Sequence, residues 1–154
     1  MALTQAEADV LLQMEKRFSE SSEIVLTRTL PMDFRRELLS LDQRERFFLD
    51  VCRSSHIAAR LRHQTRARAS IILARLEING PRHRNPATQQ HPEGDWIGGT
   101  HLHVYREGLG DRFAYAEQEL DELGFRKPLA LVQTFEDFLK FCSVVRIPNI
   151  QQGI

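Results

Sequence analysis

Cysteine is scarce in this 154-residue chain: Cys52 and Cys142 are the only two, and they match no metal or redox spacing. Their simplest reading is a pair of reduced, buried thiols in a cytosolic protein. Long hydrophobic runs are missing as well, and nothing approaches the roughly 18 apolar residues of a membrane span. The opening Met-Ala-Leu-Thr-Gln-Ala-Glu-Ala-Asp is acidic where a secretory leader is basic and then apolar. A cytoplasmic location and no membrane partner are therefore expected. Net charge is absent too, with 21 basic against 21 acidic residues, so the overall balance singles out neither nucleic acid nor membrane. Gly108 and Gly110 lack the spacing and following helix of a phosphate loop. Asp42 and Glu45 have no assignable partner, which leaves carboxylate-pair catalysis unsupported. No repeat, low-complexity segment or linker interrupts the chain, and its length suits one domain over residues 1–154.

One absence is local. Between Asp50 and Glu77 there is no acidic residue, while the interval holds Arg53, Arg60, Arg62, Arg66, Arg68 and Arg75 with His56 and His63. Arg82 and Arg84 follow. The compensating acids lie toward the two ends, so neutrality hides a separation of charge. Guanidinium groups grip phosphates bidentately, and each neutralised phosphate releases counterions. Arg60, Arg62, Arg66, Arg68, Arg82, Arg84 and Arg106 are thus candidate phosphate ligands. The alternative is a solvated face whose arginines pair with acids of the terminal helices. Aromatic interleaving, which single-strand binders use for stacking, is missing from His56 to Ile78.

The periodicities predict an α+β fold: a mainly antiparallel sheet with an N-terminal and a C-terminal helix packed on it. Thr4 with Glu7 forms a capping-box pattern, and Ala6, Val10, Leu11, Met14 and Phe18 make a helical stripe to about Phe18. Residues 24–30 and 46–51 read as strands. Phe34 to Leu41 reads as a short helix or an irregular excursion. His56–His63 and Ser70–Ile78 are expected as strands around a bend near Gln64–Arg66, the second nearly all apolar and so interior to the sheet. Asn79-Gly80-Pro81 is turn chemistry. His101–Arg106 and Arg112–Tyr115 supply two more strands, and Glu117–Leu123 a helical turn or two. Thr134 is expected to cap a final helix with an apolar stripe of Phe135, Phe138, Leu139 and Cys142. Pro148 ends it, leaving residues 150–154 as a tail.

Four of the six histidines, His83, His91, His101 and His103, fall between Arg75 and Gly110. Residues two apart on a strand share a face, so His101, His103 and Tyr105 are expected together. Three readings compete. In the first, which needs no metal or other cofactor, one imidazole is base and another acid toward a phosphodiester while arginine holds the phosphate. His83, His101 and His103 are then catalytic, Tyr105 positions a proton, and Arg82, Arg84 or Arg106 holds the charge. In the second the histidines bind a metal, with His83 as third imidazole. In the third they are interior residues with satisfied ring nitrogens, and Asn85-Pro86 merely shapes a turn. Trp96, in Asp95-Trp96-Ile97-Gly98-Gly99, sits in a loop long enough to be functional, and the glycine pair permits close approach of a ligand.

Three resemblances bear on these readings. His101-x-His103-x₃-Glu107 resembles the first half of the cupin metal signature, which implies a β-barrel metal site, although no histidine follows His103 to complete it. His83-x-Asn85-Pro86 with His101-Leu102-His103-Val104-Tyr105-Arg106-Glu107-Gly108 resembles a family of small uncharacterised bacterial proteins linked to mobile elements. Leu3–Asp9 and Pro148–Gln151 extend that likeness over nearly the whole chain, and it implies no activity. Asn79-Gly80-Pro81-Arg82-His83 is loosely similar to the turn of small histidine-cluster toxins of toxin–antitoxin pairs, which implies ribonuclease activity; this chain has one histidine where those have two. The resulting expectation is a small cytosolic bacterial or phage protein that binds RNA or another phosphate-bearing ligand, as a metal-independent ribonuclease of toxin type. The alternative is a non-enzymatic interaction protein, such as an inhibitor of a defence system or a regulator, that covers a partner protein or self-associates. Catalysis itself stays open at this level.

Overall fold

A computed structural model describes residues 2–54 and 59–154. The chain folds as α1 (Gln5–Gln13), β1 (Lys16–Phe18), β2 (Ile24–Leu26), β3 (Met32–Ser40), β4 (Arg46–Arg53), β5 (Leu61–Ala67), β6 (Ile71–Ile78), β7 (His83–Arg84), β8 (Trp96–Ile97), β9 (His101–Val104) and β10 (Ala114–Ala116). A 3-10 turn (Glu117–Glu119), α2 (Leu131–Phe141) and β11 (Ile150–Gln152) follow. Seven strands form one antiparallel sheet in the order β1-β3-β4-β5-β6-β9-β10. The fold is α+β, as the periodicities predict. Among the described residues no helix is long and apolar enough to cross a membrane.

Alternation decides the two sheet faces. On β5, Leu61, His63, Thr65 and Ala67 are buried while Arg62, Gln64 and Arg66 point outward. The expected bend at Gln64–Arg66 is therefore strand. The chain reverses at Arg68 and Ala69, which take positive φ of 48° and 70°. The start of the expected strand at His56 lies outside the described residues. β3 replaces the predicted helix or excursion at 34–41: Asp33, Arg35 and Glu37 belong to the outer face while Arg36 and Ser40 share the parity of buried Leu38, so the strand looked irregular. Lys16–Phe18 leaves the expected first helix and pairs with β3. The expected tail at 150–152 is a strand parallel to β2.

The inner face carries the core. Leu38, Phe47, Leu49, Val51, Leu76 and Leu102 are fully buried with Phe135, Phe138 and Leu139 of α2. Thr4 and Glu7 form the expected capping box on α1. α2 starts earlier than expected, at Leu131. Thr134 accepts from the Ala130 amide at 2.8 Å, and Asp137 reaches back to Arg126, bonding its amide at 2.9 Å and its guanidinium at 2.9 Å. Lys16 is buried beneath both helices. Its ammonium donates to Leu12 and Met14 at the end of α1 and to Cys142 at the end of α2, at 2.8–3.0 Å. Helix ends leave carbonyls without partners, and one cation supplies them here. Burial lowers its pKa to about 8, which leaves it mostly protonated at neutral pH.

Candidate functional site

The outer face of the sheet is a polar ladder, and strand register fixes its order. Cys52 faces Arg62, Arg62 faces Glu77, and Glu77 faces His101. One pair along, Asp50 faces Gln64, Gln64 faces Arg75, and Arg75 faces His103. His101 and His103 thus share this face by the period of two, as expected. The β7–β8 hairpin adds His83 to them. The ring centroids of His83 and His101 lie 5.3 Å apart, those of His83 and His103 4.6 Å, and those of His101 and His103 4.9 Å. One ring nitrogen from each lies within 4.8 Å of the others.

Backbone carbonyls hold these rings from behind. His83 Nε2 lies 2.7 Å from the Arg112 carbonyl, and His101 Nδ1 lies 2.7 Å from that of Gly98. A carbonyl only accepts, so each of those nitrogens carries the hydrogen and the opposite nitrogen keeps a lone pair. His103 Nδ1 is buried without a partner. His101 and His103 are nearly inaccessible to solvent. Burial is the main force holding the His103 pKa down to about 3, assisted by the Arg75 charge and the neighbouring imidazoles. His101 is shifted in the same direction, mainly by burial, with the Gly98 bond and Glu77 opposing.

Asn85, offered by the sequence only as a turn former, is the clamp of this arrangement. Its side chain donates to the Ala114 carbonyl and accepts from the Ala114 amide, both at 2.8 Å. It thereby mimics a strand partner on the free edge of β10 and fixes the loop that carries His83. The glycine pair acts on backbone instead of ligand: a Cβ on Gly99 would sit 2.0 Å from the Gly80 carbonyl oxygen, and the Gly80 amide donates to Gly99 at 2.9 Å.

Tyr105 does not join the imidazoles. Its hydroxyl accepts from the Leu3 amide and donates to the Leu3 carbonyl, each at 2.8 Å, which occupies it structurally. Glu107, the carboxylate of the cupin-like spacing, accepts from the Gln5 amide at 2.7 Å. The Tyr105–Glu107 segment is thus a dock for the start of α1.

The arginines divide. Arg66 is held by Asp50 and by the carbonyl of Ala69, and Arg68 by Glu45. Arg35 and Arg46 on the same face pair with Asp50 and Glu37. The charge separation along the sequence is therefore largely cancelled across strands, not by the terminal helices. Arg82 and Arg84 lie over the Trp96 ring, and Arg84 also donates to the Glu93 carbonyl. Arg106 lies 3.6 Å from the Phe113 ring centroid. Among the described residues Arg60 and Arg62 form no ion pair, and they line a pocket of about 220 Å³ with Cys52, Ser54 and the Glu77 carboxylate that faces Arg62 across the strands. Arg75 and Glu77 were invisible as site residues in the sequence, since only the β6–β9 pairing sets them beside the histidines. Arg75 contacts Asp111 at 2.7 Å and Glu77 at 3.5 Å, and the second oxygen of Glu77 is buried without a partner.

A family model described as a family of unknown function (DUF6978) matches residues 3–144. The chain belongs to this family. Neither the curated proteins nor the solved structures contain a match. For this DUF6978 protein, then, the site itself carries the functional argument.

Proposed function

We propose that this protein binds a phosphate-bearing ligand, RNA or another nucleic acid included, on the outer sheet face, and acts on it at the three-histidine centre. The observation that carries the reading is the contrast among arginines. Most guanidinium groups of the face are neutralised by carboxylates of adjacent strands, whereas Arg60 and Arg62 are not. Their pocket shares Glu77 with the histidine ladder. An unpaired pair of forked cations beside a reactive cluster suits a phosphate, and hydrolysis of a phosphate ester is the reaction class that fits. His83 and His101 each bond a carbonyl through one ring nitrogen and keep a lone pair on the other, which suits them as lone-pair donors.

A different surface supports the second reading, a non-enzymatic partner-binding protein such as a defence-system inhibitor or a regulator. Exposed Val10 and Leu41 flank Met14 along α1 and the end of β3, an apolar strip of the kind that marks protein contacts.

The test is anisotropy of labelled single-stranded RNA and DNA, with inorganic pyrophosphate as competitor, at low and high salt, and with products checked on gels. Arg60→Ala/Arg62→Ala is expected to weaken binding at least about tenfold and flatten its salt dependence. Arg46→Ala, on the same face but paired with Glu37, is expected to leave it unchanged. Equal behaviour of wild type and the double variant toward all three probes would remove the reading, and capture of a protein through Val10, Met14 and Leu41 would then replace it.

A further inference from the structure

We infer that His83, His101 and His103 form a binding site for one divalent transition-metal ion of the zinc, cobalt or nickel type. The inference concerns the same centre as the proposed function but needs no phosphate ligand, so the two can fail separately.

Three features of the geometry converge. The first is donor placement: β9 presents His101 and His103 from one strand face, the β7–β8 hairpin brings His83 over them, and one nitrogen from each lies within 4.8 Å of the others. Around a tetrahedral ion with Zn–N bonds of about 2.0–2.1 Å the nitrogens would stand roughly 3.3 Å apart, so binding draws the hairpin inward by a small step. The second feature is the outer shell. Metal-bound imidazoles nearly always donate their other N–H to a carbonyl or carboxylate. Here Arg112 and Gly98 carbonyls receive those of His83 and His101. That bonding fixes the tautomers of His83 and His101, leaving a lone pair on His83 Nδ1 and on His101 Nε2.

The third feature is an unmet demand. His103 Nδ1 is buried with no partner, beside the ring nitrogens of His83 and His101. A buried nitrogen in that state is costly, and a metal ion satisfies all three donors at once. Glu77 and Asp111 both contact the Arg75 guanidinium, so the cation nearest the imidazoles is itself held by two carboxylates. Three imidazoles are the donor set of a hydrolytic centre where a fourth position is left to water, whose pKa the ion would lower. This departs from the metal-free chemistry expected of the sequence, and it rests on His83, not on the Glu107 of the cupin-like spacing.

The test uses the purified chain stripped with a chelator and then titrated with cobalt(II), followed by visible absorption, and with zinc(II), followed by calorimetry. One ion per chain is expected, with the intense visible bands of a four-coordinate cobalt site. His101→Ala is expected to weaken binding at least about 100-fold, and Asn85→Ala, which only releases the clamp on the His83 loop, about tenfold. His83→Ala removes a donor from the hairpin without touching the main sheet, so it reports even if His101→Ala misfolds. His91→Ala is expected to bind as wild type. The inference is overturned if the folded wild type binds neither ion at millimolar concentration, or if His83→Ala and His101→Ala, both folded, bind as tightly as wild type. Metal binding with no effect on RNA or pyrophosphate would sustain the inference and count against the proposed function alone.

Discussion

His63 offers the sharpest test of the physical picture. It lies on the inner face of β5, fully buried, with its ring 5.1 Å from that of Phe135 and 5.8 Å from that of Phe138. Neither ring nitrogen has a hydrogen-bond partner. Burial, with a smaller contribution from the Arg53 charge, pulls its pKa down to about 3, against an unfolded value of about 6.5. As pH falls, the unfolded chain therefore takes up this proton first. The residue leaves stability intact above about pH 6.5 and removes roughly 1.4 kcal/mol per unit as pH falls from there toward 3. From about pH 7.5 to about pH 5 the loss is about 2 kcal/mol. His63→Leu keeps a similar volume and removes both the proton site and two unsatisfied nitrogens, each worth about 1–3 kcal/mol. The variant is expected to be more stable than wild type at about pH 7.5 by roughly 2–6 kcal/mol, and the gap should widen by about 2 kcal/mol at about pH 5. Urea unfolding followed by circular dichroism at the two pH values measures this directly. His101 and His103 titrate alike in both proteins and cancel in the difference. A gap that stays constant with pH, or a leucine variant less stable than wild type at the higher pH, would refute the argument.

Lys16→Met should cost about 2–4 kcal/mol in the same assay, because the carbonyls of Leu12, Met14 and Cys142 lose their shared donor while buried. Tyr105→Phe is expected to lose about 1–2 kcal/mol of stability with cobalt binding and any RNA turnover unchanged; a selective loss of turnover would restore a catalytic part for the hydroxyl. Gly99→Ala forces a Cβ onto the Gly80 carbonyl and is expected to cost about 1–3 kcal/mol, whereas Gly98→Ala meets nothing within 4 Å and should be near neutral in thermal melts.

Much of this protein is legible along the chain because the governing patterns are local. The capping box at Thr4 and Glu7 and the stripe of Phe135, Phe138, Leu139 and Cys142 each depend on neighbours within a few residues, and they read correctly. So does the shared face of His101 and His103. The errors sit where a polar outer face interrupts the apolar signal: Phe34–Leu41 looked irregular and Gln64–Arg66 looked like a bend, although both are strands whose second face is solvated. Tyr105 follows the same parity as the histidines, yet the strand ends at Val104, and its hydroxyl meets Leu3, about a hundred residues away in the chain. Strand pairing is a long-range property, so only the folded sheet could set Arg75 and Glu77 beside His103 and His101, leave Arg60 and Arg62 unpaired, and use Asn85 to hold His83. The sequence by itself determined the α+β class, the capping box of α1 and which histidines could share a strand face, because those follow from local spacing and from periods of 3.6 and 2. Tertiary structure alone decided that three imidazoles meet, because register and loop clamping arise between segments and not within them.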